Sequence, residues 1–192
     1  MNYSNQPRYY ARKFINKLHF NSDFTSKNEI VALLKQSTKK EIALDYSQLR
    51  IGLLHVLDIL IPKNASIATT SYTIFDMVNI IINSNKTPVF VDIDKETLGP
   101  DIDELIQLVI NKKVQCVIYT HLHGYQSDLS SLSKVCKENN CYLIEDCAQS
   151  IWHKDWLLEN SAPGSNSDIA IFSTGLFKNV NTISGGIVLI KS

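Results

Sequence analysis

The segment FSTGLFKN carries a single lysine, Lys178, between the apolar runs DIAI and IVLI. An ammonium in such surroundings is costly to desolvate unless it is paired or gives up its proton, so this lysine either reaches out to water or does chemistry. Other reactive groups fall at comparable places. YLIED ends a candidate strand with Glu145 and Asp146, CVIYT leads into His121, and IAIFS delivers Ser173 five residues before Lys178. In doubly wound sheets ligands bind beyond the carboxyl ends of the strands, which is where these residues belong. A lysine, a carboxylate and a hydroxyl are the groups pyridoxal phosphate needs: an amine for a Schiff base, an anion against the pyridine nitrogen, and donors around the phosphate. No G-x-G-x-x-G follows a strand and no G-x-x-x-x-G-K-S/T is present, so dinucleotide and P-loop readings lose their main support. Taken singly, Asp146 reads equally as a strand-end cap, Ser173 as a turn hydroxyl and Lys178 as a snorkelling surface residue. Their joint spacing favours a site.

The elements that must position these groups alternate regularly. SKNEIVALLKQ is helical, EIALDY extended, and SQLRIGLLHVLDILI helical up to Pro62. ASIATT, IFDMVNIIINS, TPVFVDI, DIDELIQLVINKK, QCVIYTH, DLSSLSKVCKENN and CYLIEDC continue the strand and helix alternation. VFVDI, CVIYT and YLIED are nearly continuous apolar runs, as a sheet covered on both faces requires. The expected fold is α/β: three layers, with a mostly parallel central sheet and helices on both faces. Residues 1–25, basic and aromatic in PRYYARKFINK, read as an N-terminal arm, and 26–192 as one domain. The stretch 151–167, with Trp152 and Trp156, loses periodicity and reads as a surface excursion between strands.

Composition excludes some classes. The chain has 192 residues, 44% hydrophobic and 20% charged, with 19 basic residues against 19 acidic ones. No overall field draws it to nucleic acid, and no run is apolar enough for a membrane span or signal peptide, so a cytoplasmic location is expected. Cys116, Cys136, Cys141 and Cys147 match no zinc spacing and read as reduced core thiols. His121 and His123 in THLHG lack a nearby acidic or thiol partner in sequence and read as structural, with Gly124 permitting a turn and no metal expected.

IEDCAQS, DIAIFSTGLFKN and SGG, together with TPVFVDID and THLHG in the same order, resemble the DegT/StrS family of pyridoxal-phosphate-dependent sugar aminotransferases. The resemblance spans roughly residues 40 to 190 and implies the large domain of a type I fold. It implies that Lys178 holds the cofactor covalently and moves protons, and that Asp146 keeps the pyridine nitrogen protonated. By the same resemblance Gln149 contacts the hydroxyl side of the ring, Ser173 binds the phosphate, and Gly185 and Gly186 turn the backbone before the last strand. It further implies a nucleotide-linked keto sugar as acceptor, an amino acid, glutamate, as donor, and a homodimer in the full-length form. A related dehydratase branch carries histidine in place of the lysine, which Lys178 argues against.

Three features depart from the family pattern. The Ser-Gly-Thr of the phosphate-binding helix start is replaced by YSQLR, leaving Ser47 and Gln48 to serve. The aromatic residue that stacks on the ring falls on Ile74, with Tyr72 or Phe75 as possible substitutes. Family members are about twice as long, so a C-terminal domain is expected to be missing. The rival expectation is a truncated, catalytically inactive binding or regulatory module.

Overall fold

The computed structural model describes residues 27–150, 162–175, 178 and 184–191. The expected N-terminal arm, and Trp152 and Trp156 in the expected excursion, lie outside the described residues. The order is α1 (Lys27–Thr38), β1 (Ile42–Tyr46), α2 (Leu49–Leu60), β2 (Ser66–Thr70), α3 (Phe75–Asn83), β3 (Thr87–Val91) and α4 (Ile102–Ile110). There follow β4 (Cys116–Thr120), a short 3-10 turn, α5 (Ser130–Glu138), β5 (Tyr142–Asp146), β6 (Ile169–Ser173) and β7 (Gly186–Ile190). Local chemistry explains the boundaries. Pro62 disfavours helical geometry in the residue before it, and Ile61 is extended at φ −94°, ψ 131°. Asp101 caps α4 by accepting the Glu104 N–H at 2.9 Å. Asn64, Asn85 and Asn140 all adopt positive φ, which asparagine tolerates better than most residues.

The seven strands form one sheet in the order β1-β7-β6-β5-β4-β2-β3. Strands β2 to β6 pair in parallel, while β7 runs antiparallel to both β6 and β1. Side-chain alternation divides the core in two. Ile67, Ile118, Ile144, Ile171 and Val188 meet Leu53, Val56 and Leu57 of α2 and Met77 and Ile81 of α3 on one face. Ala68, Val117, Tyr119 and Leu143 meet α4 and α5 on the other, where Phe172 and Leu189 also pack on Ile30 and Leu34 of α1. Each such aliphatic side chain contributes about 1.5–3 kcal/mol when fully buried. All four cysteines are buried free thiols, as expected. One strand differs from expectation: VFVDI is not covered on both faces, because β3 is an edge strand and Phe90 is 47% exposed.

Gly186 is required for closeness rather than for a turn. A Cβ there would lie 2.4 Å from Leu49 Cα and 2.6 Å from Leu49 N, so β7 begins in backbone contact with the first turn of α2. Gly186→Ala should therefore push α2 off the sheet and cost about 1–3 kcal/mol, as overpacking does. Urea denaturation of the variant beside the parent measures this; an unchanged midpoint would show that the contact yields freely.

Candidate functional site

The carboxyl ends of β5 and β6 open onto a cleft of about 430 Å³, closed on its other side by the first turns of α2 and α3. Gln48, Arg50, Asp76, Asp146, Ser173 and Lys178 line it. An adjoining cavity of about 230 Å³ shares Ile74, Asp146, Ala148 and Lys178 and adds Tyr72, Thr120 and Gln149. Asp146, at the end of β5, thus borders one space with Ser173 and Lys178, which belong to the segment that begins at the end of β6.

Asp146 is the last residue of β5 and is only 7% exposed. Its Oδ1 accepts the Ala148 N–H at 3.0 Å. Burial pushes the carboxyl above the usual carboxylate range, and the Ala148 N–H, Lys178 and His121 oppose that without overcoming it. A cation seated against Asp146 would recover the desolvation cost, which is what a protonated ring nitrogen offers. Ser173 ends β6, and its Oγ accepts the Gly175 N–H at 3.4 Å, while the Lys178 N–H reaches Gly175 O at 3.1 Å. Gln149 spends its carbonyl oxygen on the His123 N–H at 2.9 Å, so its NH₂ is the end left for a ligand in the cavity it lines. His123 and Gly124 carry positive φ of 54° and 77°, making the expected turn.

The helix start divides the two residues expected there. Gln48 is the N-cap residue of α2 and lines the cleft, whereas Ser47 is exposed and lines neither cavity. The aromatic substitutes also separate. Tyr72 borders the smaller cavity beside Ile74, but Phe75 is 78% exposed and borders neither.

His121 has the acidic and thiol neighbours that the sequence around it lacks. Its Nε2 lies 2.8 Å from Glu145 Oε2, with the Cys147 thiol close by, all three residues buried. Glu145 also accepts the Gly164 N–H at 2.8 Å and the Asn166 N–H at 3.0 Å, and buried Lys40 donates to Gly164 O. Two ligands of one tetrahedral zinc ion stand about 3.3 Å apart, so the His121–Glu145 spacing is that of a hydrogen bond. The group is a buried hydrogen-bonded network holding residues 164–166 to β5. Burial acts to raise the Glu145 carboxyl, but the bond and charge of His121 and the Gly164 N–H outweigh it and leave it below the usual range. Burial pulls the Lys40 ammonium down, opposed by Glu145. Lys40 gave no sign of this in the sequence. Arg50 was visible only as a charge in the departing YSQLR, and its ion pair with Asp76 joins α2 to α3 at the cleft.

A model of the DegT/DnrJ/EryC1/StrS aminotransferase family matches residues 47–192. The chain is 30% identical over 132 residues to a GDP-perosamine synthase of Vibrio cholerae, covering 69% of this chain and 35% of that protein. It is 28% identical over 180 residues to the GDP-perosamine synthase of Escherichia coli O157:H7, covering 94% of this chain and 44% of that one. It therefore spans less than half the length of these relatives. The fold is similar to that of the E. coli GDP-4-keto-6-deoxy-D-mannose-3-dehydratase solved with bound hydrated PLP, at a TM-score of 0.73 and 15% identity over 100% of this chain and 50% of that chain.

The two adjacent carboxylates lead to opposite expectations. A carboxyl with a raised folded pKa weakens the fold where it is ionised, and that cost fades as pH falls. Asp146→Asn should therefore raise the melting temperature of the cofactor-free chain at neutral pH; a lower one would overturn this. Glu145, with its lowered pKa, contributes stability that is complete above the ordinary glutamate value of about 4.3 and is lost as pH falls through the lower folded value. Urea midpoints measured from pH 6 downward, a range of about two units around that value, should decline more steeply for the parent than for Glu145→Gln. Parallel declines would remove the role of Glu145.

Proposed function

The chain belongs to the DegT/DnrJ/EryC1/StrS aminotransferase family, and from that premise we propose that it is the pyridoxal-phosphate-binding portion of a sugar aminotransferase. The whole enzyme moves an amino group from an amino acid, glutamate in this reading, to a keto group on a nucleotide-linked sugar. The observation that carries the proposal is the convergence of Lys178, Asp146 and Ser173 on one cleft at the carboxyl ends of β5 and β6. The cofactor supplies an electron sink that lets a bond at the substrate carbon break heterolytically. The chain's own residues do the rest. The Asp146 carboxylate keeps the ring nitrogen protonated, and Ser173 Oγ donates to the phosphate. Gln149 turns its NH₂ towards the hydroxyl side of the ring. Lys178 Nζ holds the cofactor and then takes and returns a proton at the substrate carbon. Leu53, Ile74, Met77 and Ile80 give the cleft an apolar wall that limits water.

We place the enzyme in the cytoplasm as a homodimer in its full-length form. Among the described residues no helix is long and apolar enough to cross a membrane. Lys178 favours amino transfer over the dehydratase chemistry of the related branch. The second reading, a module that binds cofactor without turning over substrate, draws on Ser47, which lines neither cavity, and on Ile74 at the aromatic position.

Pyridoxal phosphate added to the chain should produce a visible absorbance band, and borohydride should fix the cofactor on the peptide containing Lys178. Lys178→Ala should abolish the fixation and keep weaker, non-covalent binding. Label spread over several surface lysines, or surviving in the Ala variant, would remove the proposal. Fixation on Lys178 by a full-length chain that moves no amino group from glutamate to any nucleotide keto sugar would select the second reading.

A further inference from the structure

The charges of the cleft point to a phosphate ligand in Arg50. Among its described lining residues the cations are Arg50 and Lys178, and the anions are Asp76 and Asp146. The reading above, on which this inference rests, engages two of the four: Lys178 is bonded to the cofactor and Asp146 is paired with the ring nitrogen. A phosphate monoester near neutral pH carries close to two negative charges. Ser173 and Gln48 can donate only neutral hydrogen bonds to it, and Leu49, in the first turn of α2, offers no side-chain donor. Among the described lining residues, the one cation left to balance the phosphate is Arg50.

The guanidinium is available for that task. Arg50 is ion-paired through Nη1 with Asp76 Oδ2, and the two side chains are 56% and 43% exposed. A pair so exposed to water is weak and exchanges readily. A guanidinium presents parallel N–H donors that match two phosphate oxygens, and charge-assisted bonds of this kind exceed neutral ones in strength. The contact of Gly186 with the Leu49 backbone holds the first turn of α2 against the start of β7, so Arg50 projects from a fixed base.

We propose that Arg50 leaves Asp76 to bind the phosphate monoester of the cofactor, with Asp76 as the internal anion that occupies the guanidinium until the phosphate arrives. The exchange supplies the charge that the altered helix start does not. Asp76 competes with the ligand, so removing its charge strengthens phosphate binding and removing Arg50 weakens it.

Absorbance titrations with pyridoxal phosphate and with pyridoxal, which lacks the phosphate, test this on the parent chain, Arg50→Gln and Asp76→Asn. Arg50→Gln should weaken pyridoxal phosphate about ten-fold or more, the usual range for a lost bond to a charged group, and leave pyridoxal unchanged. Asp76→Asn should tighten pyridoxal phosphate and leave pyridoxal unchanged. Inorganic phosphate should compete with pyridoxal phosphate less effectively in Arg50→Gln than in the parent. Equal affinity of parent and Arg50→Gln for pyridoxal phosphate would overturn the assignment, and is also the outcome expected if the guanidinium serves the diphosphate of a nucleotide sugar instead. Equal weakening of both cofactor forms would make Arg50 a structural residue and overturn it too. An Asp76→Asn chain that binds no tighter would remove the exchange. Failure of borohydride to fix cofactor on Lys178 of the parent sinks the cofactor reading itself, and with it this inference; fixation with no effect of Arg50 sinks the inference alone.

Discussion

Two carboxylates at the end of one central strand meet opposite environments, and the rest of the site is arranged around that contrast. Strand geometry points Glu145 and Asp146 to opposite faces of the sheet. Glu145 is surrounded by donors from His121, Gly164 and Asn166, with the Lys40 ammonium nearby, and its charge is well supported. Asp146, one residue on, has a single backbone N–H and an apolar cleft wall. The first carboxylate fastens the segment after β5 to the sheet. The second is left under-compensated where a ligand cation can reach it. Two like groups whose surroundings drive their pKa values apart are a recurring basis for dividing labour in a site.

That division is affordable only because the strand carrying it is rigid. β5 lies between β4 and β6, paired in parallel with both, and its inward residues are fully packed. His121 adds a second tie, since its N–H donates to Asp146 O at 3.1 Å while its ring meets Glu145. One histidine therefore secures the backbone of Asp146 through its own backbone N–H and the side chain of Glu145 through its ring. The opposite wall depends on a different kind of contact, the close approach of β7 to α2 at Gly186, which sets how near Gln48 and Arg50 stand to Ser173. The floor of the cleft is held by buried charges and strand pairing, and its rim by steric fit.

Much of this was legible in the sequence, and for an identifiable reason. Helices and strands follow from short-range periodicity, so SQLRIGLLHVLDILI and CVIYT declare themselves within a few residues. The ends of strands are likewise local, which is why Asp146, Ser173 and Lys178 could be singled out together and why Asp146 with Gln149 three residues on carried a recognisable pattern. Strand direction and strand position are not local. GIVLI reads as a buried strand whichever way it runs, and only pairing with β6 and β1 makes it antiparallel. TPVFV has the same apolar content as an interior strand, yet the chain's path leaves it at the edge with Phe90 facing solvent.

The sequence by itself determined the α/β class, the helical and extended segments, the reduced state of four buried thiols and the residue types gathered at the strand ends. Tertiary structure alone decided which of them meet. His121 and Glu145 are 24 positions apart, Arg50 and Asp76 are 26, and Lys40 and Gly164 are 124. It also decided that Gln48 and not Ser47 faces the cleft, and that Tyr72 and not Phe75 stands beside Ile74. A sequence pattern records what each residue prefers within a turn or two of chain. A buried hydrogen-bonded pair, or the face a side chain presents at a helix start, is set by what distant segments bring against it, and those contacts exist only once the sheet has assembled.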